Sequence, residues 1–412
     1  MGNTNKMKSN SLNMAKGLLL ILFVLSECTS IPDVGGFLAM FCLPALFMAI
    51  GSAFDTALLQ NKTKFIKRCF RRIYIPFVVF ALIFLFLHNL LSWIGVVSHD
   101  SIYTWAKGNQ NAWSIVWNMS GFDEEMCGPF WIFRALFLGS VSYLVIYSLC
   151  KKLSYFTDEK EVRWAVVTIS ALLLIWQVLS GVKVTGVDGG GYRELMALFF
   201  MACGALYNIY RNELRINWIW ILVLMMLLVA SYLLMPAQLE MQANIFETLK
   251  LLLPTIAAFL LIDTFTSLFD DESAVKQSLR HVGSRAVYVI ACIVAGLKIA
   301  SMLVIAFSSA AWTELEKTNV VKIGDGFSFT DILYFIFGLG FPLLVCYIFN
   351  KLDVRYHMDF AKIVEFIVSL LKFILVTLFK FVVLLFHFIV DLAKGIASVI
   401  RDFWKASNPK DD

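Results

Sequence analysis

Apolar runs of about twenty residues recur along most of the chain, and they constrain its fold more than any other feature. A helix needs roughly 20 predominantly apolar residues to cross the hydrocarbon core of a membrane. Only 16% of the residues are charged, whereas an ordinary soluble domain carries about a quarter. We therefore predict an all-α polytopic membrane protein with about ten transmembrane helices. The predicted spans lie near residues 16–30, 36–55, 73–95, 129–150, 164–182, 194–210, 217–235, 249–268, 286–308 and 329–349.

The segments that connect these runs alternate in charge. One set is rich in Lys and Arg, whereas the other, which includes residues 98–127 and 309–328, is acidic or mixed. The positive-inside rule places the basic set in the cytoplasm. The alternation predicts an even number of crossings with both termini in the cytoplasm. It also explains the net charge of +5, so we expect the lipid bilayer, and no nucleic acid, as a partner.

The pattern changes after residue 352. Residues 361–404 contain no proline, and their polar residues recur every seven or eight positions, which draws a narrow polar stripe along an apolar helix. Such a helix would be about 66 Å long, too long for one crossing of a core about 30 Å thick. We predict a transmembrane bundle over residues 1–352 and a C-terminal amphipathic helix with a polar tail over residues 353–412. The wide apolar face favours contact with a second copy or a partner protein, and a position along the inner leaflet is the alternative.

Neither a metal site nor a bound cofactor is predicted. The eight cysteines are scattered, without CxxC or metal-ligand spacing, and most lie inside apolar runs. A buried, unreactive thiol is the better expectation for each. The sequence also has no Gly-rich phosphate loop with a lysine and no serine nucleophile motif. We expect no metal and no permanently bound cofactor.

Six segments resemble, in the same order, motifs of the membrane acyltransferase 3 family. The second contains Phe-Cys-Leu-Pro-Ala-Leu-Phe, the third is a basic stretch that runs into Ile-Pro, and the fourth contains Gly-Pro-Phe-Trp. Their order and spacing carry the resemblance, which covers residues 10–350. The segments are residues 13–25, 41–51, 65–76, 128–137, 199–211 and 283–288.

This resemblance implies an activity as well as a fold. Members of the family move acyl groups, usually acetyl, from acyl-CoA onto cell-surface glycans or glycolipids. For this chain the resemblance implies acyl-CoA (acetyl-CoA) as the donor substrate and a cell-envelope or secreted glycan, or a lipid-linked sugar, as the acceptor. It also implies a bacterial inner membrane as the location.

The end of the first span departs from the family pattern at Glu27. A histidine taken to be the catalytic base usually stands there, and a second histidine is replaced by Ala291 and Cys292. Because burial favours the neutral form of a carboxyl group and makes the carboxylate a stronger base, Glu27 can serve as the general base instead. The alternatives are that Glu27 marks the membrane interface or forms a structural ion pair. His88 and His99, near the outer end of the third span, offer an imidazole from another place.

Arg68, Arg71 and Arg72 lie at the cytoplasmic end of the third span. Guanidinium groups suit phosphates, and the family resemblance includes this segment, so we predict that these arginines bind acyl-CoA. Arg68 and Arg71 are three residues apart, which puts both on one face of a helix. Anchoring of the span at the cytoplasmic surface is the alternative.

Further candidates are charges inside or near the membrane. Arg134 and the adjacent Arg193 and Glu194 lie in or beside predicted spans, where charges are costly enough to be functional by default. A structural ion pair between helices explains them equally well. Tyr288, in the last of the family-like segments, is the remaining site candidate.

The sequence leaves two functions open. The first is membrane O-acyl transfer, with acyl-CoA bound from the inside and its acyl group presented toward Glu27. The second is a catalytically inactive family member that acts as a membrane scaffold or polysaccharide-export partner. A small-molecule transporter is disfavoured, because the sequence lacks the paired Gly/Pro-interrupted helices expected at a midplane site.

Overall fold

The computed structural model is helical, without strands, in the part of the chain that it describes. That part comprises residues 2–98, 102–120, 124–153, 158–183, 191–211, 213–214, 217–234, 245–268, 273–308, 310–321 and 328–356. The helices are α1 (Gly2–Cys28), α2 (Pro32–Gly51), α3 (Thr56–Gln60), α4 (Lys62–Cys69), α5 (Ile75–Ile94), α6 (Trp105–Asn118), α7 (Trp131–Lys152), α8 (Glu159–Ser180), α9 (Tyr192–Tyr210), α10 (Trp218–Leu234), α11 (Ile245–Leu268), α12 (Ala274–Ser284), α13 (Ala286–Ala306), α14 (Glu314–Lys317) and α15 (Phe329–Tyr356).

Each of the ten predicted spans coincides with a helix, namely α1, α2, α5, α7, α8, α9, α10, α11, α13 and α15. Seven helices of the described chain are long and apolar enough to cross a membrane by themselves. Helix α10 has 17 residues, which is short for a crossing. The structure confirms an all-α polytopic membrane protein.

Glycines allow the helices to cross closely. A side chain on Gly51 of α2 or on Gly204 of α9 would collide with the backbone of the other helix, and Gly17 of α1 and Gly283 of α12 meet in the same way. Small residues at crossings are the usual means of close helix packing in membranes. Residues next to both crossings line the cavity described below.

Helices α4 and α5 continue into one another through a π-helical turn at Phe70–Tyr74. Pro76 follows this turn, and a proline has no N–H to donate, while its ring clashes with the carbonyl group four residues before it. Here that carbonyl belongs to Arg72. The wider turn accommodates the proline without ending the helix. It also sets the directions of Arg71 and Arg72, which it carries.

The chain divides after Ile348 into two units. The first contains the helices up to most of α15, and the second contains the end of α15. The predicted amphipathic helix at residues 361–404 lies outside the described residues. The boundary predicted after residue 352 therefore stays a prediction.

Candidate functional site

A cavity of about 770 Å³ opens where α1, α4, α5, α9, α11, α12 and α13 meet. Its volume lies within the range of about 300–1,000 Å³ that is typical of small-molecule sites. The cavity is on the side of the bundle that carries the basic connecting segments. Its charged lining residues are Lys16, Asp55, Arg68, Arg72, Arg211 and Asp263.

Three of these cations have no acidic partner among the residues that the structure describes. Lys16, Arg68 and Arg72 are close enough to interact electrostatically with one another. No carboxylate of the described residues is within ion-pair distance of any of them. Like charges held together repel, more strongly where water is partly excluded. The cluster is therefore suited to an anion that lies among the three side chains.

The fourth cation, Arg211, is neutralised. Its Nη2 lies 2.7 Å from Asp263 Oδ1, and its Nε donates to Oδ2 over 2.9 Å. The Tyr207 hydroxyl donates to the same carboxylate over 2.7 Å. Because a bidentate Arg–carboxylate pair is strong and directional, these bonds hold α9 to α11 as a fixed wall. The family-like segment at residues 199–211 supplies this wall.

The structure brings two of the three predicted arginines into the cavity. Arg68 and Arg72 line it, whereas Arg71 is not among the lining residues. The expected pairing of Arg68 with Arg71 requires a regular α-helix, but the π-helical turn at Phe70–Tyr74 changes the direction of the side chains that follow. Tyr288 also lines the cavity, and its ring packs edge-on against Phe80 with 5.8 Å between centroids.

Glu27 lies near the other end of α1. Its side chain is exposed, and no cation of the described residues is within ion-pair distance of it. The hydroxyl of nearby Ser30 donates to Asp331 over 2.6 Å, which ties the end of α1 to the start of α15. Lys16 is eleven positions before Glu27, so about 16 Å of helix separates Glu27 from the cation cluster.

Arg134 and Glu194 form a buried ion pair between α7 and α9. Arg134 Nε lies 2.6 Å from Glu194 Oε1, and the two residues are 1% and 8% exposed. A charge buried this deeply needs a partner, and each residue supplies it for the other. The geometry favours the structural interpretation of the pair. Arg193 instead places its guanidinium 4.4 Å from the centre of the Trp131 ring.

Sequence reasoning missed Lys16 and Arg163 as internal residues. Lys16 counts in the sequence as one of the residues that orient the first span, but it lines the cavity. Arg163, directly before the span predicted at residues 164–182, is buried and donates to the carbonyl groups of Phe54 and Ala205 over 3.0 and 2.8 Å. The signal in both cases is a cation directly adjoining an apolar run, which membrane anchoring explains as well.

A second buried pair joins His88 of α5 to Glu124. Their Nδ1 and Oε2 atoms are 2.5 Å apart, and the residues are 1% and 2% exposed. The sequence assigns Glu124 to an acidic outer connection and gives no sign of this pairing. His88, considered above as a replacement for the missing histidine, is thus enclosed beside a carboxylate.

A helical bundle with seven apolar helices of membrane-crossing length defines an integral membrane protein. The family model of the acyltransferase 3 domain, described as an acyltransferase domain, matches residues 9–351. The chain therefore belongs to the acyltransferase 3 family, as the sequence motifs predicted. No curated protein and no solved structure matches it. Family membership supports a membrane acyltransferase in general.

Proposed function

We propose that this protein is a membrane O-acyltransferase that moves an acyl group, in the simplest case acetyl, from acyl-CoA to a hydroxyl of a cell-envelope or secreted glycan. One observation carries the proposal. A cavity with three cations that have no acidic partner in the described part of the chain, Lys16, Arg68 and Arg72, lies toward one end of α1, and the exposed carboxylate of Glu27 lies toward the other.

Acyl-CoA has the chemistry that this arrangement calls for. Its phosphate groups suit guanidinium and ammonium donors, and a long, flexible arm joins them to the thioester. With the phosphates at Arg68 and Arg72, the arm extends along α1 toward Glu27, about 16 Å from the cluster along the helix axis. The donor enters from the cytoplasm of a bacterial cell, and the acceptor enters from the opposite side of the inner membrane.

The reaction needs one base. The carboxylate of Glu27 accepts the proton of the acceptor hydroxyl, and the hydroxyl oxygen attacks the thioester carbonyl carbon. The tetrahedral intermediate collapses with cleavage of the C–S bond. The proton then passes from Glu27 to the departing thiolate, which leaves as free CoA. The products are the acyl ester and the thiol, and Glu27 is again a carboxylate.

Substitution of Glu27 tests this assignment. Membranes that contain the protein are incubated with radiolabelled acetyl-CoA, and label is counted in the isolated glycan fraction. Glu27→Gln is expected to abolish transfer, because the amide keeps the shape of the side chain but accepts no proton. Glu27→His, the residue usual in the family, is expected to restore part of it. Unchanged transfer in Glu27→Gln would exclude this base.

Binding of the donor is tested separately with purified protein. The double variant Arg68→Gln/Arg72→Gln is expected to bind acetyl-CoA at least about 100-fold more weakly, because each charged hydrogen bond contributes about 1.5–3 kcal/mol. Acetyl-pantetheine, which lacks the phosphates, should lose little affinity. Lys64→Gln removes an exposed charge outside the cavity and is the matched control. Equal losses for both ligands would assign the arginines to folding.

The scaffold alternative rests on the absence of the usual histidine at Glu27. It requires that the wild-type protein neither binds acetyl-CoA nor transfers acetyl groups. Binding of acetyl-CoA, combined with transfer that Glu27→Gln leaves unchanged, would place the base elsewhere and leave the donor site intact.

A further inference from the structure

Helix α6 belongs to the connection that the sequence places outside, but it begins against a membrane-spanning helix. The backbone N–H of Tyr103 donates to Asn89 Oδ1 over 2.9 Å, and its carbonyl accepts from Asn89 Nδ2 over 3.0 Å. The Tyr103 ring also stacks on His88, with 3.7 Å between ring centroids. These contacts fix the start of α6 beside the C-terminal half of α5.

The far end of α6 reaches the opposite end of α5. The hydroxyl of Tyr74, directly before α5, donates to the carbonyl of Val116 over 2.5 Å. The Tyr74 ring lies 5.6 Å from that of Phe137 in the second turn of α7. Between Tyr74 and Asn89 the helix rises by about 22 Å, and the chain from Tyr103 to Val116 covers about 20 Å. Helix α6 therefore runs antiparallel to α5 and at the same depth.

The outward face of α6 carries three tryptophans. Trp105, Trp113 and Trp117 are 85%, 65% and 49% exposed, whereas Ile115 is buried. At 3.6 residues per turn, the three tryptophans fall within one sector of about 120°. The rings of Trp113 and Trp117 lie 5.4 Å apart, so they form one continuous aromatic surface.

We propose that α6 is a re-entrant helix of the membrane and that its tryptophan face, made of Trp105, Trp113 and Trp117, binds the lipid of the bilayer. Tryptophan is enriched where headgroups meet acyl chains, because its ring is apolar with one polar N–H. A helix satisfies its backbone hydrogen bonds internally, as the bilayer requires. Helix α5 belongs to the candidate span Lys62–Ile94. Because both ends of α6 are hydrogen-bonded to this span, α6 lies at bilayer depth.

This depth favours lipid over a sugar or a soluble protein as the occupant of the aromatic face. Either of those would need the face in water, but the last turn of α6 lies beside Tyr74, which packs on a second spanning helix at Phe137. The charge distribution agrees. Lys107, the single charged residue within α6, is in its first turn, where an ammonium group reaches the headgroups.

Spin labelling in lipid nanodiscs tests the proposal. A nitroxide is attached at Trp113→Cys or Trp117→Cys, with Lys107→Cys as the matched control in the same helix. Its relaxation is measured with oxygen, which concentrates in lipid, and with a water-soluble nickel complex. Labels at 113 and 117 are expected to collide several-fold more often with oxygen than with nickel, and the label at 107 is expected to show the reverse ratio. Monodisperse elution of each variant shows that it is folded. Two tryptophan positions are labelled, so that the proposal is still tested if one of the two variants does not fold.

Two results would overturn the proposal. Nickel access at 113 and 117 equal to that at 107 would place the aromatic face in water, free for a sugar. Protection from both reagents would mean that protein covers it. None of these measurements depends on acyl transfer, so their outcome is independent of the proposed enzymatic function.

Discussion

Arg134 and Glu194 lie 60 positions apart in the sequence. Because they form a buried ion pair, each needs the other as its counterion. The cost of an unpaired charge in the membrane interior exceeds the benefit of the pair itself, because both partners lose their hydration when they are buried. We expect Arg134→Gln to destabilise the protein by about 3–5 kcal/mol, since it leaves Glu194 buried without its counterion. Thermal unfolding in mild detergent measures this loss.

The double variant Arg134→Met/Glu194→Leu is the matched control, because it removes both charges and keeps apolar volume. Its melting temperature should return to near that of the wild type. If stability returns and acetyl transfer does not, the pair also serves the reaction. If Arg134→Gln alone were as stable as the wild type, the structural interpretation of the pair would be contradicted.

Residue types at the site could be predicted from the sequence, but their partners could not. Arg68 and Arg72 are found because cations beside an apolar run are conspicuous and because the family motif includes them. The pairing of His88 with Glu124 joins a span to a connection, and no local pattern encodes it. Arg71 was predicted together with Arg68 and Arg72, but only Arg68 and Arg72 line the cavity, and the π-helical turn before Pro76 has a different period from the α-helix on which that prediction rests.

At the scale of elements, the close crossing of α2 and α9 positions the cavity wall. Gly204→Ala adds a methyl group that would meet the Met48 carbonyl, and overpacking of this kind costs about 1–3 kcal/mol. We expect a lower melting temperature and weaker acetyl-CoA binding, because Tyr207 and Arg211 follow on the same helix. Gly340→Ala in α15 is the control, since apart from its chain neighbours and the backbone of its own helix no atom of the described residues lies within 4 Å of the added carbon. If Gly204→Ala changed neither the melting temperature nor acetyl-CoA binding, α2 and α9 would have moved apart enough to accommodate the methyl group.

The long helices could be predicted because twenty apolar residues have few alternatives in a membrane. The shorter ones, such as α6 and α12, carry mixed faces and no long apolar run, and such a pattern predicts a connecting segment. Their packing comes from single contacts such as that between Tyr74 and Val116. Such contacts join residues that are far apart in the sequence, 42 positions in this case.

At the scale of the molecule, the cavity draws residues from position 13 to position 288, and no window of sequence contains it. The C-terminal residues 361–404 remain a prediction from their pattern alone, with a partner or a second copy on their apolar face. Deletion of residues 361–412 is expected to leave the bundle inserted and to lower the mass of the complex in mild detergent. An unchanged mass and the same bound proteins would favour a position on the inner leaflet.

The orientation of the bundle decides which side supplies the donor. The positive-inside rule places Lys64 in the cytoplasm and the connection that contains Thr313 outside. Seven of the eight cysteines are buried and Cys203 is partly buried, so the wild-type chain gives a low background for thiol labelling. An impermeant maleimide should modify Thr313→Cys on intact cells and should reach Lys64→Cys only after the membrane is permeabilised. The opposite result would invert the topology and place the cation cluster of Lys16, Arg68 and Arg72 away from the cytoplasmic pool of acyl-CoA, which the proposed reaction requires.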